Sequence, residues 1–263
     1  MYRYAQTNIQ LYEQLIDAGY SESDLLSVRN GYDLASRLFS AQFRPNGKPF
    51  IAHVVGTASI LAGHGASLPL VLAGLFHAAY ARGDFGGFWP RVTPGKRRRL
   101  SRVIGEQAET LVAQYAVSQW NSQIATSLAD ALPQFTEQQR WGLFLRLANE
   151  LEEAADHDML YDHNDRRQKR IGNLGCCIQI ARNLDMPDLA KEIEETHAYL
   201  QSRKVPAELV SNRKSDHISP PLSHRRRLIP AISHGLRAVW SQCPEDFRFR
   251  VRSWATNRVL GIK

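Results

Sequence analysis

Two histidines 24 positions apart, His53 and His77, carry the most pointed chemistry in this chain. His53 closes the segment Arg44-Pro45-Asn46-Gly47-Lys48-Pro49-Phe50-Ile51-Ala52-His53, and His77 lies in Leu75-Phe76-His77-Ala78-Ala79-Tyr80. An imidazole changes charge near neutral pH and also ligates metals, so two in one pocket would form an acid/base pair or half of a metal site. Spacing alone leaves a plainer reading open, in which each is a satisfied core histidine on an apolar helix face. Arg44 and Lys48 add fixed cations suited to an anionic small molecule, against the alternative of a solvated loop pair. After His77, Ala81-Arg82-Gly83-Asp84-Phe85-Gly86-Gly87-Phe88-Trp89 is glycine-rich, aromatic and acidic. Its glycines would let backbone approach a ligand, with Phe85, Phe88 and Trp89 as an apolar wall; a helix-ending loop is the other reading. His77 with Asp84, or His53 with Glu153, could move protons without a metal if burial tunes them.

Together these segments resemble the HD-domain superfamily, and within it the branch that hydrolyses (p)ppGpp, the RelA/SpoT hydrolase type. There an Arg-x-x-Gly-x-Pro-Tyr/Phe-x-x-His segment precedes a His-Asp pair and, much later, a Leu-Ala-Asp. Here the pair reads His77-Ala78 and the late motif Leu147-Ala148-Asn149. The resemblance implies two histidines and two aspartates around a divalent ion such as Mn²⁺, and only His53 and His77 carry over. Alanine has no lone pair and an asparagine carbonyl is neutral, so the anionic charge on which oxygen-loving ions depend is gone. The branch's Glu-Asp pair for the attacking water is replaced by Ala81 and Arg82. The expectation is therefore a degenerate HD-type protein with no metal and no cofactor. His53, His77 and Asp84 would be catalytic; Arg44, Lys48, Tyr80, Phe85, Asn149 and Glu153 would bind a small polar or anionic ligand. A weak analogy with metal-free Pictet–Spengler cyclases extends this to specialised metabolism. Two alternatives stand beside it: a metal-dependent phosphohydrolase recruiting Asp84 or Glu153 as substitute ligands, and a non-catalytic interaction scaffold.

The elements that must position these residues read as helices. Thr7 precedes Ile9, Leu11, Leu15 and Ile16 at helical spacing, with Gly19 as the stop, and Ser21-x-x-Asp24 and Thr136-Glu137-Gln138-Gln139 are capping-box starts. Ile51, Val54, Val55, Ala58 and Leu61 mark a helix with His53 in its first turn, and Ser67-x-Pro69 opens another, nearly all apolar from Leu70 to Tyr80. A helix apolar all round is a buried one. Pro94 opens a helix that Gly105 breaks; later helices run through Leu143–Ala154, 166–184 and 187–202. Asn149 and Glu153 share a face of theirs, which leaves Glu150 and Glu152 for solvent. No alternating strand pattern interrupts the body, so the expected class is all-α.

Charge divides the chain. Residues 202–263 hold 13 Lys/Arg against 4 Asp/Glu, a net +9 of the chain's +7, leaving −2 for the rest. The expected domains are a helical body, 1–204, and a Pro/Ser linker with a basic amphipathic extension, 205–263. That extension, with Arg225-Arg226-Arg227 before Ile229, Ile232, Leu236 and Val239, suits packing against the body or an anionic membrane surface. Nucleic acid is disfavoured by the near-neutral body, and a homo-oligomer is left open. No stretch reaches ~18 unbroken apolar residues and the N-terminus lacks a signal peptide's blocks, which points to the cytoplasm. Three cysteines, two adjacent as Cys176-Cys177, give neither a disulfide framework nor zinc spacing and read as buried thiols.

Overall fold

The computed structural model describes residues 4–44, 46–86, 91–118, 120 and 134–210, with Asn164 by its backbone alone. The basic extension beyond residue 210, and Phe88 and Trp89, lie outside the described residues. The chain divides into two compact units, one including Met1–Ser118 and the other Gln119–Arg213, so the stretch 1–204 holds parts of both. The fold is all-α: among the described residues the regular elements are helical, and Phe43 pairs with Pro49 in an isolated bridge. No helix among them is long and apolar enough to cross a membrane.

In the first unit α1 (Asn8–Asp17) and α2 (Glu22–Leu38) start where the capping boxes place them. Thr7 and Ser21 each accept the N–H three residues on, and Gln10 and Asp24 reach back to the cap. The apolar stripe expected on α1 is narrower than its spacing suggested: Leu11 and Leu15 are buried, while Ile9 and Ile16 are 61% and 52% exposed. Helix α3 (Phe50–Gly63) is buried nearly all round, from Phe50 through Ala62 apart from the half-buried Ile51.

Helix α4 (Leu68–Phe76) crosses α3 at Gly74. A Cβ there would stand 2.8 Å from Leu61 Cδ1 and 3.0 Å from the Ala58 backbone, so only glycine permits this approach. The expected continuous helix from Leu70 to Tyr80 is broken at His77-Ala78, and α5 (Ala79–Arg82) restarts beyond it. The cause is local. His77 Nδ1–H donates to the Gly74 carbonyl at 2.8 Å, taking the oxygen that the Ala78 N–H would use in a continuing helix. Helix α6 (Pro94–Val117) packs on α2, α4 and α5 and bends at Gly105, whose φ of 80° lies in the left-handed region.

The second unit is a helical hairpin and its return. Helix α7 (Glu137–Ala155) begins at the Thr136–Gln139 capping box, a 3-10 turn (Asp158–Tyr161) follows, and α8 (Asn164–Asn183) packs on both α7 and α9 (Pro187–Ser202). Proline at the first position of α9 costs nothing there, because that N–H has no helical partner.

Two glycine substitutions separate crowding from backbone freedom. Gly74→Ala is expected to lower stability by about 1–3 kcal/mol, because the α3–α4 crossing must open. Gly142→Ala, in the middle of α7 with nothing within 4 Å of the new Cβ, is expected to raise it by about 0.4–1 kcal/mol. Urea unfolding of both variants at constant m-value checks the pair.

Candidate functional site

The loop before α3 is a tight hairpin. Arg44 N–H donates to Lys48 O at 2.8 Å, Gly47 N–H to Arg44 O at 2.9 Å and Phe50 N–H to Gln42 O at 2.8 Å. Gly47 has φ +89° with open space where a Cβ would go, so glycine is needed for the backbone angle alone. This hairpin delivers Arg44 to the first turn of α3, where its Nη1 stands 3.3 Å from His53 Nε2. His77, at the end of α4, brings its own Nε2 to 3.2 Å from the same atom. Both imidazoles are buried, at 1% and 3% exposure, and aromatic edges flank them: Phe50 lies 5.2 Å from His53 and Tyr115 of α6 lies 5.2 Å from His77.

Partners constrain the protons. A carbonyl only accepts, so His77 Nδ1 is protonated; a guanidinium only donates. In one arrangement His77 is an imidazolium whose Nε2–H points at the lone pair of His53, which Arg44 also addresses. In the other, His53 carries its proton on Nε2 and donates to neutral His77, leaving Arg44 as a nearby charge. Each places one proton between the two Nε2 atoms. Two would collide at 3.2 Å, and with none the lone pairs would oppose each other. Chemically, one proton between two imidazoles beside a guanidinium can be passed to or taken from a bound group.

Among the described residues no group of three or more His, Cys, Asp or Glu is gathered for a metal ion. Arg44 adds a positive charge next to the nitrogens that would ligate one, and Ala78, the N-cap of α5, supplies no ligand. Without carboxylates at 78 and 149, the residues present do not fit the divalent ion that the HD-domain resemblance implies.

The other expected site residues of this unit are otherwise engaged. Tyr80 is 1% exposed and donates its hydroxyl to Glu109 Oε1 at 2.5 Å, and the same buried carboxylate receives Arg97 Nε and Nη2 at 2.9 and 2.6 Å. Burial first, then the bond to Glu109, pushes the Tyr80 phenol up, so it remains a protonated donor. Phe85 is stacked on Tyr80 at 6.1 Å with Lys96 and Arg99 over its ring. Asp84 takes the Gly86 N–H on Oδ1 and gives its own N–H to Leu38 O. Lys48 stands half-buried in the hairpin, two residues before Phe50.

Asn149 and Glu153 belong to the second unit. Asn149 is 4% exposed and its Nδ2 reaches Glu153 Oε1 at 3.5 Å, the shared face the helical spacing predicts. Glu153 also faces Arg170, which Asp158 and Asp162 hold at 3.0 and 2.6 Å. Burial alone would lower the Arg170 pKa, but these carboxylates outweigh it and hold the guanidinium above its ordinary value. Glu152, expected in solvent, is 1% exposed, because it follows buried Leu145 and Ala148 on one face of α7. Glu150 is half-buried, 4.0 Å from Arg146. Cys177 is buried, and that burial raises its thiol pKa, marking an inert core residue.

Sequence reasoning missed Glu109, Arg97 and Tyr115. The first was findable, since a carboxylate in the apolar register of Ile104, Ala108, Leu111 and Val112 requires a cation. A family model described as a domain of unknown function (DUF6817) matches residues 36–119, from the end of α2 past the end of α6. The chain is similar to that family over the stretch that contains Arg44, His53 and His77. No curated protein matches the chain.

The buried carboxylate predicts two stability losses of different size. Tyr80→Phe removes one bond to a charged acceptor and is expected to cost about 1.5–3 kcal/mol. Glu109→Leu strands Arg97 and the phenol together and is expected to cost more, about 3 kcal/mol, held to the low end because Arg97 keeps 27% of its side chain in water. Thermal melts of the two variants against wild type give the order.

Proposed function

We propose that this chain is a degenerate HD-type protein, related to the (p)ppGpp-hydrolase branch in its Arg44–His53 and His77 segments, that binds a small anionic ligand at those residues and exchanges a proton with it without a metal. The contact of Arg44 Nη1 and His77 Nε2 with one nitrogen of His53 carries the reading, because it combines a fixed positive charge with a mobile proton. An anion that approaches Arg44 favours the protonated form of the pair, so binding takes up a proton and weakens as pH rises.

Inorganic pyrophosphate serves as the probe. Calorimetry is expected to show binding that is tighter at pH 6 than at pH 8 in buffers of matched ionic strength. Arg44→Gln should lose about tenfold or more in affinity, the scale of one charge-assisted bond. Pyrophosphate binding that is indifferent to Arg44→Gln and His77→Gln would defeat the proposal.

A second reading retains the metal-dependent phosphohydrolase with Asp84, of the same unit, as a substitute ligand. It is favoured by one observation, the 3.2 Å between the Nε2 atoms, near the ~3.4 Å separating two imidazole nitrogens on one tetrahedral ion with ~2.1 Å bonds. Added Mn²⁺ distinguishes it. Stoichiometric Mn²⁺ binding and (p)ppGpp hydrolysis by the unmodified chain would support the second reading. On the first, the unmodified chain binds no stoichiometric Mn²⁺ and releases no pyrophosphate from (p)ppGpp.

A further inference from the structure

The start of α6 holds an arginine cluster most of whose charges neither the fold nor the histidine site pairs. Arg91, Lys96, Arg97, Arg98, Arg99 and Arg102 fall within twelve residues, and no acid occurs from Phe85 to Gly105. Arg97 turns inward to Glu109. Arg91, Arg98, Arg99 and Arg102 are exposed, and none forms an ion pair among the described residues. Arg140, Arg146, Arg166, Arg170 and Arg182 each lie within 4.0 Å of a carboxylate, whereas exposed Arg29 and Arg37 of α2 form no ion pair among the described residues either. What sets the start of α6 apart is the density of its cations with no acid among them. The cluster is also held in place. Lys96 Nζ bonds the Arg91 carbonyl at 3.2 Å, and Lys96 and Arg99 pack over Phe85 at 5.3 and 5.7 Å. Cations this close to a helix N-terminus oppose the macrodipole, so like charge is concentrated here at a cost to the free chain.

We infer that this face binds the surface of an anionic phospholipid bilayer. Arginine's planar fork matches phosphate bidentately, which suits the four-to-one use of arginine over lysine among the outward cations. The footprint is short. Arg98 and Arg102 are one turn apart, ~6 Å along the helix, too little to follow the several phosphates on which non-specific nucleic-acid affinity rests. Among the described residues Phe85 offers no open face to a base, because it is covered by Tyr80 on one side and by the cations on the other. A bilayer, by contrast, brings many phosphates to one compact patch. Each cation near such a surface contributes about fivefold in affinity, and the attraction fades with salt over a Debye length.

The test uses the full chain and sedimentation with vesicles of phosphatidylcholine alone or with phosphatidylglycerol. Wild type is expected to bind the anionic vesicles and release them as salt rises. The triple variant Arg91→Gln, Arg98→Gln, Arg102→Gln, which spares the ring contacts, is expected to lose about 100-fold with an unchanged melting temperature. The same three positions as lysine should retain most of the binding, which excludes a folding defect. Arg225→Gln, Arg226→Gln, Arg227→Gln asks whether the basic extension is responsible instead. The inference is overturned if wild type ignores anionic vesicles, if the helix variant loses less than tenfold, if only the extension variant loses binding, or if duplex DNA or RNA is bound more tightly than vesicles through these same arginines.

Discussion

Two buried imidazoles meeting nitrogen to nitrogen at 3.2 Å impose the constraint around which the first unit is arranged. Such a contact is favourable only with a proton between the nitrogens, so the backbone must bring the two rings together in that one orientation. The α3–α4 crossing does this through Gly74. Its missing Cβ lets the helices close, and its carbonyl orients the His77 ring by accepting from Nδ1. The same bond ends α4, which makes the break between α4 and α5 a by-product of fixing the histidine.

Arg44 comes from a different kind of element. Its hairpin is secured by backbone bonds, the Phe43–Pro49 bridge and the left-handed Gly47, and α3 begins one residue after the bridge closes. The guanidinium and His53 are thereby nine residues apart in sequence and adjacent in space. A loop that merely connected α2 to α3 would need neither the turn glycine nor the ladder bonds. Support from the other side comes from α6, whose Tyr115 edges against His77 while Glu109 anchors Tyr80 on α5.

Much of this was legible in the residues. The capping boxes at Ser21 and Thr136, the helix start after Thr7, the interrupting Gly105, the proline starts of α6 and α9 and the meeting of His53 with His77 are all local or pairwise signals, and each fixes a position without knowledge of the packing. What escaped depends on neighbours that periodicity does not name. Ile9 and Ile16 repeat at helical spacing, yet α1 covers only the stripe through Leu11 and Leu15. Glu152 looked like a solvent residue because Asn149 and Glu153 were expected to share the inward face, whereas its place on α7 follows Leu145 and Ala148 inward. Tyr80 read as a ligand contact because it follows the His77 motif, and only the register of Glu109 on a distant helix shows where its hydroxyl goes.

The bend at Gly105 lies between Arg97 and Glu109. Twelve residues of straight helix would separate their Cα atoms by ~18 Å, beyond the reach of the two side chains, yet the ion pair closes at 2.6 Å. The pair is therefore a clasp across a corner, and the corner cannot straighten without releasing a desolvated carboxylate. The glycine that interrupts the helical hydrogen bonding thus does not divide α6 into two segments that fray separately. Both arms are bound into one cooperative unit, and amide exchange along them should be slow together and open together.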